Sequence, residues 1–177
     1  MSEIAILCMS GDWTDGAPGR RSRARIYASG EYAQKYDQAV VYFAATNTIK
    51  YPDMICMAAA MQSVFDKKFL GCQSVVLTGD EEWSSRGEFR KFFAQIKVGQ
   101  PIVLVSGQYH LDRLQIILEA YHPEHAPFVQ YHQAVDDQTN LSMRVIEIPK
   151  RWLVKQSEAR QQKLRQLQQR WLKFLPV

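Results

Sequence analysis

The chain predicts an α/β fold, with a mainly parallel five-stranded sheet, helices on both faces, and a long basic helix at the C-terminal end. Three observations carry this. Short β-branched runs alternate with segments whose apolar residues recur at helical spacing. The runs are apolar throughout rather than alternating, as in strands covered on both faces. The repeating β-then-α order makes neighbouring strands parallel, because each helix returns the chain to the same end of the sheet.

The first predicted strand is Ile4 to Met9. After it, Ser10-Gly-Asp-Trp-Thr-Asp-Gly-Ala-Pro-Gly19 is glycine-rich and acidic, without the Gly-x-Gly-x-x-Gly fingerprint or a Walker lysine. Its backbone at Gly11 and Asp12 can approach a phosphate, although Asp12 and Asp15 repel one unless a cation intervenes. Gly and Asp are also ordinary turn residues, which makes the segment read as a mobile surface loop. A helix from Arg23 to Lys35 leads to the second strand, Ala39 to Ala44, and a helix from Asp53 to Lys67 leads to the third, Ser74 to Leu77.

The next connection, Thr78-Gly-Asp-Glu-Glu-Trp-Ser-Ser-Arg-Gly-Glu88, gathers acids and hydroxyls ahead of a helix predicted from Arg86 to Lys97. Ser84 and Ser85 are N-cap types, and Glu88 completes a capping box with Ser85. Glu81 or Glu82, turned toward the strand ends, can act as a general base or orient a histidine.

The fourth strand, Ile102 to Ser106, is bounded by Pro101 and Gly107. Leu111, Leu114, Ile117 and Leu118 then repeat at helical spacing, which predicts a helix over His110 to Tyr121. His110 falls in its first turn and Arg113 lies one turn along on the same side. Ligands of open α/β sheets gather outside the carboxyl ends of the strands, where helix N-termini offer unpaired N–H groups. Ser106, Tyr109, His110 and Arg113 stand there. The plainer roles of such residues are capping and packing for the histidine, and pairing with Asp112 or Glu119 for the arginine. A weaker fifth strand covers Phe128 to Tyr131, and Met143 to Ile148 is a short candidate limited by Pro149.

A chain of 177 residues forms one domain with a substantial core. Residues 1–149 make up the α/β body, and residues 150–177 an amphipathic helix packed on it. The chain has no apolar run of the roughly 18 residues that span a bilayer. Glu3 stands where a secretory leader carries positive charge, which predicts a cytoplasmic protein. Cys8, Cys56 and Cys72 are odd in number and widely spaced, so they indicate neither a disulfide framework nor zinc. His122, His125 and His132 cluster around Pro123 and Pro127 at spacings of no helical metal motif, and read as surface or loop residues with no metal.

From Lys150 onward, eight Lys and Arg face the single acid Glu158. The remainder of the chain, with fourteen basic and seventeen acidic residues, is slightly acidic, so the basic character belongs to the tail. Arg151 to Leu175 carries Leu164, Leu167, Trp171 and Phe174 along one stripe, most simply a docking face on the protein's own body. A homodimer, an anionic membrane surface or RNA are other uses of such a helix. Nothing else in the chain resembles a nucleic-acid module.

The stretch Leu104-Val-Ser-Gly-Gln-Tyr-His-Leu-Asp-Arg113 resembles the strand, serine, aromatic, histidine and arginine motif of the YdcF/SanA/ElyC-like family, bacterial proteins with a Rossmann-like domain. His110 and Arg113 match that motif directly, with Ser106 and Tyr109 beside them. Arg25 resembles the family arginine that precedes the second strand. Asp53-Met-Ile-Cys-Met57 is similar to the family's Glu-Ala-x-x-Met helix start, and Glu147-Ile-Pro-Lys-Arg-Trp-Leu to its last-helix opening. Two segments depart. Ala44-Ala45-Thr46 stands where the family has Ser-Gly-Gly, and Glu82-Trp-Ser-Ser-Arg-Gly-Glu-Phe89 supplies Glu82, Ser84 and Glu88 but no counterpart of the family's threonine and asparagine.

The resemblance implies binding of a nucleotide-like small molecule, S-adenosylmethionine among the candidates, or a part in envelope biogenesis. On this expectation Arg113 and Arg25 pair with an anionic group, His110 is a hydrogen-bond donor or acid and base, Glu82 assists it, and Ser106, Tyr109, Ser84, Gly11 and Asp12 complete the pocket. No dinucleotide fingerprint is present, so catalysis would be hydrolysis or group transfer; no particular cofactor is indicated. The alternative is a diverged, non-catalytic interaction protein acting through the basic C-terminal helix.

Overall fold

A computed structural model describes residues 3–45, 57–77 and 85–135. Strand β1 (Ile4–Met9) runs into a hairpin of β2 (Trp13–Thr14) and β3 (Ala17–Pro18), then helix α1 (Arg20–Ala33), β4 (Ala39–Ala44), α2 (Met57–Lys68), β5 (Gln73–Val76), α3 (Ser85–Phe93), β6 (Ile102–Ser106), α4 (Gln108–Tyr121) and β7 (Val129–Gln133). The main sheet has five strands in the order β5-β4-β1-β6-β7, and every adjacent pair is parallel. β1 is central, with Leu7 opposite both Tyr42 and Leu104. The α/β class and the parallel five-stranded sheet of the sequence reading are therefore present. The C-terminal helix of residues 150–177 and the strand candidate Met143 to Ile148 lie outside the described residues.

The strands are apolar on both faces because both are covered. Ala5, Leu7 and Met9 point into a core with Leu104 and Phe89, Phe92, Leu114 and Leu118 of α3 and α4. Ile6 and Cys8 point into a second core with Val103 and Val105 and with Ile26 of α1 and Met61 and Phe65 of α2. From β1 the chain steps outward through β4 to β5, then crosses over α3 to β6 on the other side of β1. The strand order thus reverses between β1 and β6. The crevice outside their carboxyl ends is the ligand position of open α/β sheets. Among the described residues no helix is long and apolar enough to cross a membrane.

Local differences from the sequence reading have physical causes. The segment read as a mobile loop after β1 contains a hairpin, with Trp13 opposite Pro18 and Thr14 opposite Ala17. Its tip is Asp15-Gly16, both at positive φ (49° and 76°), the conformation that suits a two-residue hairpin turn and that Asp-Gly favours. α1 begins at Arg20, ahead of the expected Arg23, because Gly19 serves as its N-cap. α3 ends at Phe93 rather than Lys97. His125, read as a surface or loop residue, lies in a turn but is 4 % exposed, and its ring stacks on Phe93 at 4.4 Å. His122 packs on the same ring at 4.6 Å, and His132 lies edge-on to Tyr32 at 5.3 Å.

Candidate functional site

The site is built where β1 and β6 hand over to α1 and α4. Gly107 is the N-cap of α4, with an extended backbone (φ −74°, ψ 151°) and no side-chain cap. This short handover leaves Ser106 at the end of the strand, fully buried, with His110 one helical turn later on the same side. Ser106 Oγ and His110 Nδ1 are 2.9 Å apart. The other ring nitrogen, Nε2, lies 3.2 Å from Ser85 Oγ at the start of α3. Arg113, one turn further along α4, donates from Nη2 to the same Ser85 Oγ at 3.3 Å. Two cationic or potentially cationic groups of α4 therefore meet on one hydroxyl oxygen of α3.

A second pair of donors meets on the other side of the first turn of α4. Tyr109 Oη receives Arg25 Nη2 at 3.2 Å and Arg21 Nη1 at 3.3 Å. Arg25 is 1 % exposed and also donates from Nη1 to the carbonyl of Ser10, at the carboxyl end of β1. Arg25 and Tyr109 thus join α1 to α4 near the carboxyl ends of β1 and β6. Guanidinium groups suit this work because their planar fork can serve two acceptors at once.

Gly11 and Asp12 serve the loop. The amides of Gly11 and Asp12 donate to Ser22 Oγ at 3.0 and 2.9 Å, and that hydroxyl donates to the Asp12 carbonyl at 2.6 Å. The Asp12 carboxylate accepts the Ser22 amide at 2.9 Å and lies 3.7 Å from Arg21 Nε. An internal carboxylate therefore sits in the first turn of α1, where the helix dipole favours negative charge. A Cβ on Gly11 would come within 2.9 Å of the Ser22 amide nitrogen, so the loop approaches the helix only through glycine here.

Cys8, on β1 beneath Arg25, is fully buried, and that burial pushes its thiol up to about 12; the Ser29 hydroxyl and the Arg25 charge act in the opposite sense. It stays a protonated, inert group. Among the described residues no set of three His, Cys, Asp or Glu side chains is placed to hold a metal ion.

Of the residues singled out in the sequence, the structure brings Ser106 onto His110, His110 and Arg113 onto the Ser85 hydroxyl, and Arg25 onto Tyr109. Gly11 and Asp12 are bound to Ser22 of α1. Glu82 and Ser84 fall outside the described residues. Ser85 and Arg21 were not among the sequence candidates for the site. Ser85, a capping residue type in the sequence, is the first residue of α3, and its hydroxyl meets His110 and Arg113. Arg21 had a signal in its spacing, because it stands four residues before Arg25 on the same face of α1.

Comparison of the chain with protein-family models, with curated proteins and with solved structures gives no match.

Proposed function

We propose that the protein binds a phosphate-bearing or nucleotide-like small molecule in the crevice outside the carboxyl ends of β1 and β6, as a diverged member of the YdcF/SanA/ElyC-like family. The observation that carries the reading is the meeting of His110 Nε2 and Arg113 Nη2 on a single oxygen, Ser85 Oγ. The Arg113 guanidinium with a histidine nitrogen beside it is the kind of pair that suits an anionic oxygen. The position at the strand-order reversal supports it too, since that is where open sheets take their ligands. Arg25 and Tyr109 brace the crevice from the β1 side, and the Asp12 carboxylate keeps the anionic group away from α1 and toward α4. S-adenosylmethionine is among the candidate ligands. If the site is catalytic, hydrolysis or group transfer suits it, with His110 moving the proton.

The test is a thermal-shift and calorimetric series with inorganic phosphate, ADP, ATP and S-adenosylmethionine. A ligand present at 100 times its Kd stabilises the fold by about 2.7 kcal/mol, a readable rise in Tm. The reading expects at least one of these to raise Tm in the wild type, with the shift lost in Arg113→Ala and in His110→Gln while their circular dichroism is unchanged. No shift with any of the four, or shifts that survive both substitutions, would overturn it.

A further inference from the structure

We infer that the protein has a second binding site, a cleft between the β2–β3 hairpin and the outer face of α1, which takes a phosphate monoester on a small apolar or aromatic body through Arg20 and Arg23. The inference stands independently of the crevice at the ends of β1 and β6.

It starts from the way α1 divides its arginines. Arg21 and Arg25, four residues apart, turn inward to the Tyr109 hydroxyl. Arg20, Arg23, Ala24 and Tyr27 follow one another at helical steps and share a different face. These four residues line a cleft of about 710 Å³, whose far wall is the hairpin with Pro18 and the tip residue Asp15. That volume is in the range of small-molecule sites.

Both arginines are exposed, and neither serves the fold in an obvious way. α1 has no acidic residue in its first turn, and positive charge is disfavoured at that end of a helix, so helix stability gives no reason for arginine at either position. Arg23 donates from Nε to the Pro18 carbonyl at 2.9 Å, which holds its guanidinium against the hairpin. Among the described residues its two terminal amino groups meet no acceptor, Arg20 meets neither an acceptor nor a carboxylate, and Asp15 makes no ion pair. The cleft therefore carries two unneutralised cations against one carboxylate at the hairpin tip.

Two planar forks one helical turn apart suit the several oxygens of a phosphate. The rest of the wall is apolar. The Tyr27 ring is fixed by Phe69, edge-on at 6.4 Å, and by Lys68 Nζ, 4.1 Å from the ring centre. With Pro18 and Ala24 it offers a surface on which the hydrocarbon part of a phosphate ester can lie. Inorganic phosphate has no such part, and a sugar phosphate carries hydroxyls that this surface cannot pair.

The experiment is a nitrogen-15 NMR titration of the whole chain with inorganic phosphate, phenyl phosphate and glucose 6-phosphate at constant pH and ionic strength. Saturable shifts are expected at the amides of Arg20, Arg23, Ala24 and Tyr27 and at the Arg23 Nε–H. Phenyl phosphate is expected to bind there about three- to tenfold more tightly than the other two, for the part of a ring that an open wall covers. Arg20→Ala and Arg23→Ala, each with unchanged circular dichroism, are expected to weaken it about tenfold, the loss of a hydrogen bond to a charged group. Asp15→Asn, which asparagine's tolerance of positive φ allows, is expected to tighten it about two- to fivefold, as an exposed like charge is removed. Shifts at the cleft that persist in Arg113→Ala support the inference whatever becomes of the crevice. Shifts confined to Ser106, His110 and Arg113 would place the phosphate in the crevice alone and overturn it. Equal affinity for the three anions, binding that survives loss of both arginines, or no saturable shift at the cleft would overturn it as well.

Discussion

The Asp12 carboxylate accepts the backbone N–H of Ser22 at 2.9 Å, inside the first turn of α1, and does for that helix what its own N-cap, Gly19, has no side chain to do. The two positions are interlocked. A Cβ on Gly19 would stand 2.6 Å from the carboxyl carbon of Asp12 and 2.8 Å from each of its oxygens. The residue that lacks a cap leaves room for the residue that supplies one.

Gly19→Ala is therefore expected to push the carboxylate out of the first turn and to destabilise the protein by about 1–2 kcal/mol, the worth of a lost cap. Asp12→Ala should cost a similar amount, and the double variant should cost little more than either single change. Urea unfolding of the four proteins closes the cycle. Strictly additive losses would show that the two residues act independently.

Gly30 makes a second prediction whose sign runs against helix propensity. It lies within α1, where alanine is ordinarily favoured over glycine by about 1 kcal/mol. A Cβ there would come within 2.3 Å of the Phe69 ring, which is itself wedged against Phe65 at 5.1 Å between ring centres. Overpacking of this kind costs about 1–3 kcal/mol. Gly30→Ala should lower stability on balance, and Phe69→Leu should relieve part of the clash. A more stable Gly30→Ala protein would mean that the ring moves aside freely.

The buried strands were legible because their apolar runs are long and unbroken. β1, β4 and β6 coincide with the runs at Ile4, Ala39 and Ile102, since burial on both faces keeps them apolar up to Ser106 at the end of β6. β5 begins one residue early, at Gln73, a polar edge residue that an apolar run does not include. Helix starts were less legible: the cap of α1 comes from Asp12, across a hairpin, and no local pattern announces it. The turn at His125 was legible from the prolines around it, but its burial was not, because that depends on Phe93 in another helix.

The site divides along the same line. Ser106 and His110 are four residues apart across one strand-to-helix junction, so their meeting could be read from spacing. Their link to Ser85 is tertiary and spans a crossover. Between two adjacent serines the chain offers no local reason to prefer Ser85 to Ser84. Arg25 and Tyr109 were likewise legible as residue types in the right region, whereas the hydrogen bond that joins them depends on how α1 and α4 pack against the two sides of the sheet.

Cysteine labelling checks the core beneath the crevice. Burial pushes the Cys8 thiol up to about 12, so almost none of it is thiolate at neutral pH, and iodoacetamide needs the thiolate. Cys72 is only partly buried. Brief alkylation of the native protein, read peptide by peptide in a mass spectrometer, should modify Cys72 and spare Cys8 until denaturant is added. Equal labelling of both under native conditions would show that the space between β1 and α1 opens readily.

The last prediction concerns acid. His122 is held below the ordinary histidine range, first by burial and then by the nearby charges of His125 and Arg86, with Glu124 pulling the other way. His132 is lowered in the same sense by burial and by Lys35, with Glu31 opposing. A histidine with a depressed pKa in the fold binds fewer protons there than in the unfolded chain, so stability rises with pH across the interval between the two values. Its contribution is complete above the unfolded value of about 6.5 and is lost as pH falls below that toward the folded value. Tm should fall as the pH is taken from about 7.5 to about 5.5, across that reference value. His122→Asn should flatten the slope, whatever it does to Tm at neutral pH. Melting curves over that range decide it, because a Tm that is level or rises on acidification would mean that these rings take up protons in the folded state as easily as in the unfolded one.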